Sequence, residues 1–157
     1  MEIHILFARI SWYLLIFILL IRPLGEIIKS TKIFSLLKYR KLLGIICGLA
    51  AVMHVFIFLL GNNLLISYFT NNIFWSWKSL YGWGSFALVA MMFPLLTSNE
   101  RAQKYFKRNW KRIQRISYLV FILIAIHIAL VKNEWLGVFI PVILWVIIWS
   151  LAEFKNK

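Results

Sequence analysis

Five apolar runs, each about long enough to cross a bilayer, recur along this chain and leave it few folds to choose from. They cover about residues 3–21, 42–60, 80–96, 116–131 and 135–151. A hydrocarbon layer roughly 30 Å thick is crossed by roughly 20 helical residues. Backbone groups in lipid must bond within their own segment or a closed barrel. The spacing therefore predicts an all-α membrane protein, a bundle of five transmembrane helices. Residues 1–157 form a single domain in this reading, because no stretch is left over for a soluble one. The breaks fall at Arg22-Pro23, Gly61-Asn62-Asn63 and Thr97-Ser98-Asn99, all turn-forming sequences. With 62% hydrophobic residues the chain lies well above the usual apolar share of soluble domains.

Charge placement orients the bundle. Of the 18 Lys and Arg residues, 15 fall between runs one and two, between runs three and four, or in the tail. The alternate side carries only Arg9, Lys78 and Lys132. Positive residues collect on the cytoplasmic side of membrane proteins, so the N-terminus is expected outside and the C-terminus inside. The same placement argues against nucleic acid as the partner of a chain with net charge +13. The N-terminal run lacks a basic start and a small-residue cleavage site before Arg22-Pro23, and it reads as a retained helix. Cys47 is the only cysteine, so no disulfide forms within the chain. Tyr68, Trp75, Trp77 and Tyr81, between runs two and three, suit a membrane–water interface. Residues 98–115 fit either a short surface helix capped by Ser98 or Asn99, or a solvated basic loop.

Two histidines, His54 and His127, lie inside apolar runs. An imidazole in lipid is costly and usually functional. His54 lies 13 residues beyond Lys41 and His127 lies 12 beyond Arg115. At 1.5 Å per residue both reach about 18–20 Å from the inner side. Two imidazoles at one depth on separate helices fit the axial ligands of one haem. They also fit a hydrogen-bonded pair between helices, a blander arrangement that membrane bundles use. Arg9 is expected level with them, about 20 Å from Arg22, where its guanidinium either pairs with a haem propionate or snorkels outward. Cys47, Ala50 and Ala51 precede His54 on its own face, and Gly44 and Gly48 form a small-xxx-small pair. Such residues admit a close neighbouring helix or a flat macrocycle. Apolar neighbours such as Phe56, Ile57, Phe121 and Ile124 would surround the site. His4 reads as a surface residue.

Several motifs strengthen the haem reading. Arg40-Lys41-Leu42-Leu43-Gly44 with His54 ten residues on, Pro94-Leu95-Leu96-Thr97-Ser98-Asn99, and Trp110 to Tyr118 followed by Ala125-Ile126-His127 and Lys132 occur in order. With Arg9 and Arg22-Pro23-Leu24, this pattern resembles ferric-reductase-like transmembrane haem proteins across about residues 8–135. It is most similar to the haem-binding membrane subunit of the periplasmic protein-methionine-sulfoxide reductase system. The resemblance implies a b-type haem held by His54 and His127, with Arg9 nearby, in a multi-pass protein of the bacterial inner membrane. It also implies a flavin reductase or quinol as electron donor, and hence a flavin or quinone, with an extracytoplasmic reductase as acceptor.

Two departures limit that expectation. Where the family carries an inner histidine this chain has Gln114, and Lys41 stands opposite it, so one outer haem is expected rather than two. The chain also starts at what would be the family's second helix. The main alternative is a haem-free membrane scaffold or assembly subunit of a larger complex. A transporter or channel is disfavoured, because the chain has no Asp and its five Glu lie at or beyond the run ends.

Overall fold

The computed structural model describes residues 3–133 and 135–155, and every regular element among them is helical. All five apolar runs are helices: α1 (Ile3–Ile28), α3 (Arg40–Gly61), α5 (Leu80–Leu96), α7 (Arg108–Lys132) and α8 (Trp135–Lys155). Between them lie α2 (Thr31–Ser35), α4 (Leu65–Thr70) and α6 (Glu100–Phe106). Three helical stretches, α1, α2–α3 and α7, are long and apolar enough to cross a membrane. A fourth qualifies if α5 and α6, which meet at a 91° bend, count as one span. The described apolar part of α8, Val138–Phe154, is shorter.

Two boundaries differ from the sequence expectation for identifiable reasons. Helix α1 runs on through Pro23 to Ile28 instead of stopping at residue 21. A proline removes one intrahelical bond, which a membrane helix tolerates, and Arg22 Nε donates to Glu26 Oε1 at 2.8 Å one turn ahead. Helix α7 begins at Arg108, eight residues before the apolar run. Its first turns are fastened to the end of α5: Trp110 Nε1 donates to the Thr97 carbonyl at 2.9 Å. Gln114 Nε2 donates to the Pro94 carbonyl at 3.2 Å and to Thr97 Oγ1 at 3.1 Å. Residues 100–106 are the surface helix rather than a loop, with Asn99 as cap: its Oδ1 accepts from the Ala102 N–H at 2.8 Å.

Helices α1 and α3 form one intimate pair, α5 and α7 the other; α8 lies across α1 and α7, and α3 touches α5. One core joins all five long helices, with Trp12, Leu15, Cys47, Met91, Phe121 and Val138 among its buried members. Lipid tails are as apolar as these side chains, so association rests on packing and interhelical hydrogen bonds. Small residues provide both. Cys47 Sγ donates to the Ser11 carbonyl at 3.3 Å, which draws α3 onto α1. On the α5 side of the same helix, a Cβ on Gly48 would stand 2.8 Å from Leu95 Cδ1. Gly44, its partner in the small-residue pair, faces open space.

The segment between α3 and α5 folds over the end of α3 and the start of α5. Tyr68 and Phe74 are buried with Leu59 beneath them. Trp75 Nε1 donates to the Tyr68 carbonyl at 2.8 Å, and Trp77 stacks on Phe86 at 3.9 Å between ring centres. The backbone of Ser76 passes so close to α5 that a Cβ at position 82 would collide with the Ser76 carbonyl, and Gly82 permits the approach.

Candidate functional site

His54 stands on α3, one turn below Phe58, and its ring meets the first turn of α1. Its Nδ1 lies 2.8 Å from the His4 carbonyl oxygen. His127 stands on α7, and its ring lies across the first turn of α5, with Nδ1 2.8 Å from the Leu80 carbonyl oxygen. A carbonyl oxygen only accepts, so in both rings Nδ1 carries the proton and donates it. The neutral imidazole then keeps its lone pair on Nε2. Metal-ligating histidines use this arrangement, in which a backbone carbonyl fixes tautomer and ring orientation while Nε2 coordinates.

Gly84 makes the His127 geometry possible. A Cβ there would lie 2.9 Å from Cε1, 3.1 Å from Nδ1 and 3.2 Å from Nε2 of the ring. The imidazole occupies the space that any side chain at 84 would need. Across the bundle, Gly48 against Leu95 and Phe58 against Tyr81 set α3 beside α5, while His127 faces Leu80 and Gly84. These contacts put the two histidines within about one and a half helical turns of each other along the bundle. Helices α3 and α7 are not among the packed helix pairs.

His4 was expected at the surface and is part of the site. It is half-buried, its carbonyl accepts the hydrogen bond from His54 Nδ1, and its ring lies 5.6 Å from those of His54 and Phe58. Phe58 in turn stands 6.0 Å from Tyr81, so aromatic rings line this end of the bundle. The signal that would have found His4 is antiparallel register. Pairing Ser11 with Cys47 brings His4 opposite His54, seven residues away on each helix.

The same register moves Arg9. It falls level with about residue 49, some 7 Å from His54 toward the start of α3 at 1.5 Å per residue, and its side chain is exposed. The expectation that it lay level with the histidines assumed that α1 met the membrane surface at Arg22, whereas the helix continues to Ile28. Among the apolar neighbours, Phe121 is fully buried in the core, Ile57 and Ile124 are partly buried, and Phe56 is 49% exposed on the outer face of α3. Toward the other end Gln114 is committed to the α5 terminus by two hydrogen bonds, and Lys41 is exposed. Between that level and the histidines, Trp12 stacks on Phe121 at 5.2 Å within the shared core.

Among the described residues no three or more His, Cys, Asp or Glu side chains converge on one point. Two imidazoles alone do not complete a tetrahedral or octahedral metal shell. They do complete the shell of an iron whose four other ligands belong to a macrocycle.

The model of the ferric-reductase-like transmembrane component matches residues 7–125, which include His54 and end two residues before His127. The chain belongs to that family. Among curated relatives, the magnetosome protein MamZ of Magnetospirillum gryphiswaldense is 31% identical over 121 residues, covering 76% of this chain and 18% of its own length. MamZ of Paramagnetospirillum magneticum is 30% identical over 121 residues with the same coverage. The chain thus spans less than a fifth of the curated relatives it matches. No solved structure matches it. The family establishes a membrane component of electron-transfer type. The narrower likeness to the methionine-sulfoxide reductase subunit rests on the sequence motifs alone.

Proposed function

We propose that this ferric-reductase-like chain is a b-type haem electron-transfer subunit, with one haem held between His54 on α3 and His127 on α7. The observation that carries the reading is the repeated Nδ1-to-carbonyl contact, which leaves Nε2 of each ring as the donor atom. A haem held by these two histidines would supply one-electron transfer. The chain's own part is to hold and orient. The His4 and Leu80 carbonyls fix the two rings, Gly84 gives His127 its place, and Phe58 and Tyr81 exclude water from the outer side. Arg9 stands about 7 Å along the bundle from His54 and would be the residue to pair with a haem propionate. Gln114 and Lys41 offer no pair of good ligands at the inner level, which supports one haem rather than two.

In this reading the five long helices are five crossings of a bacterial inner membrane. The cation-rich side faces the cytoplasm, and the site lies in the outer half. A flavin reductase or quinol donates, and an extracytoplasmic reductase accepts. A reduced-minus-oxidised spectrum with haem quantitation on the purified chain tests the proposal. One haem per chain, lost in His54→Ala and in His127→Ala, is expected. A colourless preparation from haem-replete cells would refute it and leave a haem-free membrane subunit. Two haems per chain would refute the assignment of Gln114 and Lys41.

A further inference from the structure

We propose that the start of α7 is a binding site for an anionic phospholipid of the surrounding membrane, independent of any haem. Arg108, Lys111, Arg112 and Arg115 fall at i, i+3, i+4 and i+7 and so share one face of the helix. With Asn109 they line a cleft of about 440 Å³ that contains no carboxylate. All four cations are exposed, and the Arg22–Glu26 ion pair involves none of them. No side chain caps this end of α7, and the positive end of the helix dipole adds to the field there.

What the same face does next selects a lipid over a soluble anion. Continuing up the helix from Arg115, it presents Leu119, 52% exposed, and Ile122, 44% exposed. The opposite face packs on α5 through Trp110 and Gln114. A cationic cleft running directly into an apolar, outward-facing strip matches a phosphate headgroup with its acyl chains. Lengths agree. The 25 residues of α7 extend about 37 Å, and a hydrocarbon layer of about 30 Å measured from Lys132 ends near Arg112. The four cations then stand at the headgroup layer, where basic pockets recognise anionic lipids.

The test is lipid titration of the full detergent-solubilised chain, read by native mass spectrometry. Phosphatidylglycerol and a diphosphatidyl lipid are compared with phosphatidylcholine. Anionic lipid is expected to bind at least ten-fold tighter. That preference should disappear in R108Q/K111Q/R112Q/R115Q and survive in the charge-matched K32Q/K38Q/R40Q/K41Q. The single variant R112Q, which removes one exposed charge, should weaken binding about five-fold, so the test stands even if the quadruple variant misfolds. Equal loss in both quadruple variants would overturn the proposal, since the attraction would then be diffuse charge. Displacement of the lipid by millimolar pyrophosphate would overturn the lipid as source and point to a soluble phosphate. No preference for anionic lipid would overturn it outright.

Discussion

Gly84→Ala separates ligand positioning from folding at the proposed haem site. Ordinary carbon contacts begin near 3.4 Å, and the added methyl would stand 2.9 Å from His127 Cε1. The ring must therefore retreat by about 0.5 Å, a difference taken from those two distances. Moving the ring that far takes the Nδ1···Leu80 contact from 2.8 Å toward the limit of a useful hydrogen bond. Losing the partner that orients a metal-bound histidine typically weakens the ligand about 10- to 100-fold. Folding should respond in the opposite sense, because alanine favours a helix over glycine by about 1 kcal/mol. The assay is haem titration of the apoprotein followed at the Soret band, with helicity measured in parallel. Haem affinity should fall at least about ten-fold, with a changed ligand-field spectrum and undiminished helicity. Unchanged affinity and spectrum would refute the argument that Gly84 exists to seat His127.

Gly82→Ala should act on the outer cap instead, because the added methyl meets the Ser76 backbone. Thermal unfolding should show a loss of about 1–3 kcal/mol, typical of overpacking. Gln114→His should not add a second haem, since Lys41 is no partner for it. Quantitation should still give one haem per chain, and the lost bonds to Pro94 and Thr97 should cost about 1–2 kcal/mol in stability. His4→Ala should keep the haem, because its backbone carbonyl continues to hold His54. Removal of the ring contacts to His54 and Phe58 should cost about 0.5–1.5 kcal/mol, read as a lower unfolding temperature.

Much of the arrangement was legible in residue order. All five apolar runs are helices, because the runs are continuous and bounded by Gly, Asn and Pro. The boundaries were less legible. Pro23 reads as a stop by the rules for soluble helices, whereas a membrane helix tolerates the missing bond and runs on to Ile28. The early start of α7 depends on Trp110 and Gln114 reaching α5, a contact between residues 13 and 20 positions apart in sequence. His54 and His127 stood out because each is polar within an apolar run. His4 did not, since near a helix end a histidine has no need of a partner.

By itself, then, the order of residues settled that the chain is helical and membrane-embedded, and which two imidazoles are out of place in lipid. Apolarity, charge placement and a buried base are properties of single positions, and each carries its free-energy cost wherever the chain folds. Only the packed structure decided which carbonyls orient those imidazoles, that Gly84 leaves room for one of them, and that Arg9 sits below the level of His54. Those features depend on how far one helix slides against another. A shift of a single turn there leaves composition and periodicity untouched.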